Sequence, residues 1–480
     1  NGTKLLSGYD ELASIKINGK AVSVEIPDGI MLPTEATGIA VFESTSAFLD
    51  NPPAISSAVA KADIPAAKQI NLGSAELVFG AASDVHVNYE YYDGGKRQAY
   101  KKWENTLDLF SDKGASYVIV TGDMTGDENI TQEPTLEKQY QDYIELINKS
   151  NIKVEDVYES VGNHGNTASG VVLFSEYTMG SDEVHPYTNS PYYYVLKKGA
   201  NGNKDNLFIF MWQEITASGQ SAKIDNFSKT QIDWVASVLT QYDTEKTNVF
   251  LIAHSPFLNY GAGDRYKGGG YTALTTFKSE FTQNMRLKGL LMEHKNVIVM
   301  SGHTHLTLYD GQNYSDVNNE FARTIHMPST CWPRAYNSSG SCPAGTDGRY
   351  SAMLGNEYGS EAYIVTVYKD YIVYTGYNVS TGKIIPAACL IMPTASNKIK
   401  NDGYSFKGAG TESDPYLIET ASDFMALTDG FNQSLTTVQS EMYGYGKYFR
   451  QTKDIDLSGI KAYQGTYAAT ANSYTNSQYK

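Results

Sequence analysis

Five of the chain's eight histidines stand in one ordered series of short motifs. Asp84-x-His86 comes first, then Gly122-Asp123, Gly162-Asn163-His164, a lone His254, and Gly302-His303-Thr304-His305. Each motif follows a short apolar run such as Leu77-Val78-Phe79, Tyr117-Val118-Ile119-Val120 or Val249-Phe250-Leu251-Ile252. Continuous apolar runs of this length suit strands buried on both faces, so the sheets must be covered on both sides. In such folds the carboxyl ends of strands are where ligands bind. The chemistry-bearing residues all sit at that end of their strands.

The stretches between the motifs read as helices. One is expected from about residue 96 to 113, closed by Gly114 in the position after the C-cap. A second spans about 133–149. A third is capped by Ser228 and carries Ile232, Val235 and Leu239 on one face. A fourth covers about 277–295. Alternating residues at 362–368 and 371–377 predict a hairpin that completes a domain near residue 395. The segments from His164 to His254 and from Leu306 to Ser360 read as polar, aromatic loops that would shape the choice of substrate.

On either side of that domain the pattern changes. Residues 1–50 alternate polar and apolar positions around Asn18-Gly19 and Asp28-Gly29, the signature of a small β module with hairpins. Residues 51–75, with Pro52, Pro53 and Pro65 among alanines and serines, read as a linker. Residues 396–480 read as a β-rich, Tyr-containing segment. The expected organisation is therefore 1–50, 51–75, 76–395 and 396–480.

Composition narrows the function. An apolar share of 41% and a charged share of 19% describe a globular chain. No stretch reaches the roughly 18 apolar residues of a membrane helix. A net charge of −15 argues against a nucleic-acid-binding surface. An acidic protein that handles phosphate must concentrate positive charge locally, and metal ions do so. The 37 tyrosines against 17 phenylalanines suggest many half-wet aromatic positions and favour an extracytoplasmic setting. The chain starts at Asn1 without a methionine or an apolar leader, so any signal peptide is expected to have been removed or to lie outside this sequence. Three cysteines are too few for a disulfide scaffold. Cys331 and Cys342 share a Gly/Ser/Pro-rich stretch and are candidates for one bond; Cys389 reads as core.

Asp, Asn and His side chains gathered at strand ends suit a two-metal centre. Two ions about 3.5–4 Å apart can share a hydroxide, present it in line to phosphorus and neutralise the surrounding oxygens. Gly122 and Gly162, each just before a ligand candidate, would let the backbone turn sharply.

The five blocks together, in this order over residues 76–390, resemble the calcineurin-like metallophosphoesterase superfamily. That resemblance implies a four-layer α/β core, two mixed β-sheets flanked by helices, here with small β-rich modules at both ends. It implies that Asp84, His86 and His305 hold one metal ion and that Asn163, His254 and His303 hold the other. Asp123 would bridge the two. His164 would not ligate but would stand over the phosphate as hydrogen-bond donor and general acid, with Asn163 also touching substrate. The ions would be Fe, Mn or Zn, which mixed nitrogen and oxygen ligands accept. The implied reaction is hydrolysis of a phosphomonoester or phosphodiester by a metal-bridging hydroxide.

Gly165 departs from the pattern, because an acidic residue commonly follows this histidine and orients it. Asp127 reads as a supporting or helix-start residue. His185, His294 and His326 fall outside the blocks and read as structural, with His326 close enough to line the pocket. Arg97, Arg265 and Arg334 lie near loops that could reach a phosphate, and read as solvated surface charges.

The tail resembles something else. Gly408-Ala409-Gly410-Thr411, Asp414-Pro415-Tyr416-Leu417-Ile418, Tyr448-Phe449 and Asp454-Ile455-Asp456-Leu457 are similar to the leader found before GLUG-type repeats in bacterial surface proteins. That implies a secreted or cell-surface protein and one module of a longer chain. It also motivates a reading from another class: a surface binding or adhesion protein that retains a phosphatase-like scaffold. Every predicted ligand position holds a competent side chain, which favours the enzyme.

Overall fold

The computed structural model describes residues 72–395, apart from a few single positions and the stretches 93–97, 127–133, 215–226, 257–261, 264–285, 292–293, 311–312, 316–321 and 335–358. It also describes short pieces between 407 and 455, and the backbone of strands before residue 72. The chain divides into two compact units, residues 1–402 and 403–480.

In the first unit, β1 (Ser14–Asn18) and β2 (Ala21–Glu25) form the hairpin expected from their alternation. The short strands β3 (Leu32–Pro33), β4 (Gly38–Val41), β5 (Ser57–Ala60) and β6 (Gln69–Ile70) follow. The last two lie within the stretch read as a linker, yet β5 pairs with β4 and β6 with β3.

The larger part begins with β7 (Leu77–Ala82), the single turn α1 (Tyr89–Tyr92), α2 (Ala99–Asp112), β8 (Tyr117–Val120), α3 (Leu136–Lys149) and β9 (Val157–Glu159). It continues through α4 (Ala168–Thr178), β10 (Tyr193–Lys197), β11 (Asp205–Phe210), α5 (Lys229–Tyr242), β12 (Thr247–Ile252) and β13 (Ile298–Ser301). The strands β14 (Tyr314–Ser315), β15 (Arg323–His326), β16 (Glu361–Val367), β17 (Tyr371–Asn378) and β18 (Lys383–Pro393) complete it. One six-stranded sheet runs β18-β17-β16-β7-β8-β9 and the other β10-β11-β12-β13-β15-β14. Both are mixed: β7, β8 and β9 are parallel to one another, as are β11, β12, β13 and β15, with antiparallel strands outside them.

Side-chain alternation builds the layers. From β7 and β12, Phe79, Ala81, Phe250 and Ile252 point into the core between the sheets, with Phe208 and Tyr363. Their neighbours turn outward. Ala82, Val118 and Val120 meet Trp103, Leu107 and Tyr143 of the helices on one side. Val249, Leu251 and Val299 meet Ile232, Val235 and Leu239 of α5 on the other. Both faces of the central strands are therefore apolar, which is why they read as unbroken apolar runs. The result is helix, sheet, sheet, helix.

The helix caps follow local chemistry. The Thr135 and Ser228 hydroxyls accept from Lys138 N and Gln231 N, satisfying donors the first turn leaves open. Gly114 takes a φ of +74° after α2, as a residue in that position should. The stretch between His164 and His254 is not loop alone, since α4, β10 and β11 lie in it. Likewise β14 and β15 lie between Leu306 and Ser360. The expected helix at 277–295 falls largely outside the described residues, as does Cys342; Cys331 is buried. Among the described residues no helix is long and apolar enough to cross a membrane. In the second unit, β19 (Tyr416–Ile418) pairs in parallel with β20 (Phe449–Gln451).

Glu361, fully buried at the start of β16, holds the segment just after the last histidine motif. It accepts the Thr307 hydroxyl and the Leu308 N–H, both at 2.7 Å. Burial pushes its carboxyl up to about 7, although both hydrogen bonds pull it down. A raised folded-state pKa means this group's contribution is full below the unfolded value and lost as pH rises through about 7. We expect Glu361→Gln, which does not titrate, to gain about 2 kcal/mol relative to the parent between pH 5 and pH 8. Denaturant unfolding at the two pH values measures this, and a difference that does not change with pH would contradict it.

Candidate metal centre

The carboxyl ends of β7, β8 and β9 in one sheet and of β12 and β13 in the other carry all eight predicted side chains. Asp84 and His86 follow β7, Asp123 follows β8, and Asn163 and His164 follow β9. His254 follows β12, and His303 and His305 follow β13. Three groups of side chains bring their ligand atoms close together: Asp84, His86 and His305; His86, Asp123 and His164; Asp123, His254 and His303.

The backbone is bent to achieve this. Asp84, His86, Asp123, His303 and His305 have φ of 50°, 47°, 54°, 67° and 55°. Only eight non-glycine residues among those described have positive φ, so the left-handed region is concentrated here. Each such residue costs on the order of 1–3 kcal/mol and persists only where its surroundings fix it. Two glycines permit the close approach in different ways. Gly122 takes a φ of 113°, a turn as expected. Gly162 has no such φ; its role is room, because a Cβ there would lie 1.8 Å from Asp123 Oδ1.

Two histidines share one arrangement. His254 Nδ1 donates to the Thr121 carbonyl at 2.8 Å, which leaves Nε2 as a lone pair. That lone pair faces Asp123 Oδ2 at 3.0 Å and Asn163 Oδ1 at 3.1 Å. His305 Nδ1 donates to the Trp332 carbonyl at 3.0 Å, and its Nε2 faces Asp84 Oδ1 at 3.1 Å and His86 Nε2 at 3.2 Å. Lone pairs converging in a buried space repel unless a cation sits among them. Asp123 Oδ2 lies 3.8 Å from His86 Nε2 as well, so one carboxylate oxygen stands between the two groups.

Protonation agrees with this reading. Burial pulls against ionising Asp84 and Asp123, yet His305 and His86 beside the first, and His254 and His164 beside the second, hold both carboxyls well below the usual range. Burial lowers His86 to about 4 despite the Asp84 contact. His303 reaches the surface, but its Nε2 is buried, and burial with neighbouring His254 lowers it to about 3. His254 is the exception. Burial would lower it, but Asp123, Asp84 and the Thr121 carbonyl raise it to about 9. Ionised carboxylates and neutral imidazoles are the states a metal ion requires, and a proton on His254 occupies the place of a cation. The residues present fit two ions.

Asn163, His164 and His303 are half-exposed and form the rim. His164 donates its backbone N–H to Asp123 Oδ1 at 2.9 Å, and its ring stands edge-on to His86 at 4.9 Å. Gly165 has a φ of +70°, and a Cβ there would meet Thr125 Oγ1 at 3.0 Å. An acidic residue is disfavoured at this position by the backbone itself.

A supporting segment escaped sequence reasoning. The buried Ser329 hydroxyl donates to the Asp84 carbonyl at 2.9 Å and accepts from Trp332 N at 2.8 Å. Ser329 thus links Asp84 to the residue whose carbonyl orients His305. It follows parallel strand β15, so the strand-end rule that located the motifs would have located it too. Arg334 is not a solvated surface charge but half-buried over Trp332. His326 is buried and hydrogen-bonds the Leu306 carbonyl at 2.9 Å, His294 pairs with Asp243 at 2.7 Å, and His185 pairs with Glu183 at 2.9 Å. Arg97, Asp127 and Arg265 lie outside the described residues.

Residues 77–306 match the model of the family described as calcineurin-like phosphoesterase. No curated protein matches the chain in sequence. Among solved structures, a dimetal phosphatase from Danio rerio is 14% identical, covering 67% of this chain and 100% of its own, with a TM-score of 0.43. The purple acid phosphatase PPD1 from yellow lupin (Lupinus luteus) seeds is 14% identical over 68% of this chain and 55% of its own, with a TM-score of 0.39. PhoD is 12% identical over 68% of this chain and 73% of its own, with a TM-score of 0.36. The matched segment, which contains every one of the eight converging side chains, is similar to calcineurin-like phosphoesterase domains.

Proposed function

We propose that the protein hydrolyses phosphate esters at a two-ion centre. Asp84, His86 and His305 hold one ion, Asn163, His254 and His303 hold the other, and Asp123 reaches both. The observation that carries this reading is the paired arrangement of His254 and His305. Each ring is fixed by a backbone carbonyl, and each turns its Nε2 toward acceptor atoms within 3.2 Å. Bound there, the ions would supply Lewis-acid polarisation of the phosphoryl group and an activated water nucleophile. They would be Fe, Mn or Zn.

The chain's own residues do the rest. Asp123 keeps the two groups in register, with one oxygen between His254 and His86 and the other fixed by the His164 N–H. His164, at the rim and beside the same carboxylate, is placed to donate a proton to the leaving oxygen. Asn163 faces the rim on the other side and can meet the phosphoryl group. The resemblance of the tail supports a further part of the proposal, that the domain works outside the cytoplasm as a module of a longer surface protein.

Metal content by elemental analysis, followed by assays on p-nitrophenyl phosphate and its bis-ester, tests the whole reading. Near two ions per chain with metal-dependent turnover is the expected result. Two ions bound with no turnover of any phosphate ester would instead favour the scaffold of a binding or adhesion protein. Asp123→Asn should lose metal and cut kcat/KM by more than the roughly 10–100-fold that loss of a supporting residue costs. Full metal content with parental kcat/KM in that variant would sink the mechanism.

Gly165→Asp restores the acidic residue that the family pattern leads one to expect. Because the backbone there is left-handed, we expect a loss of about 1–2 kcal/mol in denaturant unfolding and no gain in kcat. A stable variant with higher kcat would show that the glycine is a loss of function rather than a demand of the fold.

A further inference from the structure

Arg334 is the side chain beside the centre whose place the preceding roles do not explain. Its backbone is pinned to the last histidine motif: Arg334 N donates to the His305 carbonyl at 2.6 Å, and the Arg334 carbonyl accepts from Thr307 N at 2.7 Å. Its guanidinium carbon lies 3.4 Å from the centre of the Trp332 ring. That ring in turn stands edge-on to His305 at 5.6 Å and to Tyr89 at 5.7 Å. The arginine is therefore one ring away from a predicted metal ligand, and stacking fixes its plane.

Stacking uses a face of the guanidinium and leaves its N–H edge. Among the described residues no hydrogen bond or carboxylate reaches that edge, and Nε is buried without a partner. This is unusual for an arginine in a chain of net charge −15, where carboxylates outnumber cations. A planar fork held rigidly and left without a counter-ion matches the oxygens of a phosphoryl group. Tyr89, Trp332 and Arg334 are half-exposed, as are Asn163, His164 and His303, and ring contacts lead from Arg334 through Trp332 to His305.

We propose that Arg334, shelved on Trp332, anchors a terminal phosphoryl oxygen of the substrate and makes the protein prefer phosphomonoesters to phosphodiesters. This rests on the phosphoesterase reading above. A monoester has three terminal oxygens and is largely a dianion at neutral pH; a diester has two and carries a single charge. A cationic fork in addition to the metal centre rewards the extra oxygen and the extra charge.

The test combines two readouts on the metal-loaded full chain. One is calorimetric binding of inorganic phosphate; the other is kcat/KM on p-nitrophenyl phosphate and its bis-ester. For R334Q we expect phosphate binding to weaken by roughly tenfold or more, with metal content unchanged. Monoester kcat/KM should fall by a similar factor, mainly through KM, while the diester value falls less. R334K should recover part of the loss, since lysine keeps the charge without the fork. Phosphate bound as tightly by R334Q as by the parent would overturn the anchor, as would loss of metal in R334Q, which would make Arg334 a support for His305. Phosphate binding that depends on Arg334 in a parent that turns over no ester would leave the anchor standing and sink the phosphoesterase reading. Turnover that is indifferent to R334Q would do the reverse, and a metal-loaded parent that binds no phosphate would sink both.

Discussion

Two sheets deliver electron pairs to one small, largely buried space, and this is the constraint around which the domain is arranged. Asp84, His86, Asp123 and Asn163 come from the first sheet; His254, His303 and His305 come from the second. Their carboxylate and carbonyl oxygens and imidazole lone pairs face one another, so their approach is repulsive without positive charge between them. The apolar core holds them there regardless. Phe79, Phe208 and Phe250 interlock at centroid separations of 4.9–5.5 Å beneath the site and fix the two sheets against each other. Left-handed backbone at five of the side chains adds strain of the same sign. Stability is thus spent at the strand ends, where a cation can return part of it on binding.

The parts of this arrangement that the sequence made legible are those in which one residue type has few substitutes. A ligand must be His, Asp or Asn, and it must follow a buried strand, so Asp84, Asp123, Asn163, His254 and His303 were visible as strand ends with chemistry attached. The central strands were visible because burial on both faces leaves only apolar residues. Helix α4 was not, and its sequence shows why. Ala-Ser-Gly-Val-Val has poor intrinsic helix propensity, with a glycine and two β-branched residues. Gly170 is tolerated because a Cβ there would come within 1.9 Å of the Gly165 carbonyl oxygen. Packing of Phe174, with Leu173 and Tyr177, into the helix-side core is the long-range contact that no local pattern displays.

The second group of hidden features consists of backbone atoms. The Thr121 and Trp332 carbonyls select which nitrogen of His254 and His305 stays bare, yet a carbonyl has no residue identity to read. Ser329 is a serine among many until its hydroxyl is seen bridging Asp84 and Trp332. Gly165 shows the opposite case, in which a residue was legible but its meaning was not. From sequence it is a missing carboxylate; in the fold it is a left-handed position beneath α4.

Arg334 depends on the same backbone. Its charge alone gave no reason to separate it from the other arginines near loops. What separates it is its position, since the same segment that orients His305 through the Trp332 carbonyl also carries the arginine two residues later. Any shift of that segment moves His305 and the guanidinium together. His305 and the proposed anion anchor are therefore positioned by one piece of backbone, tied down by Ser329 at one end and by pairing with Leu306 at the other. An anchor built this way would need no moving part to align an anion with an ion held at His305, because the peptide chain fixes their separation in advance.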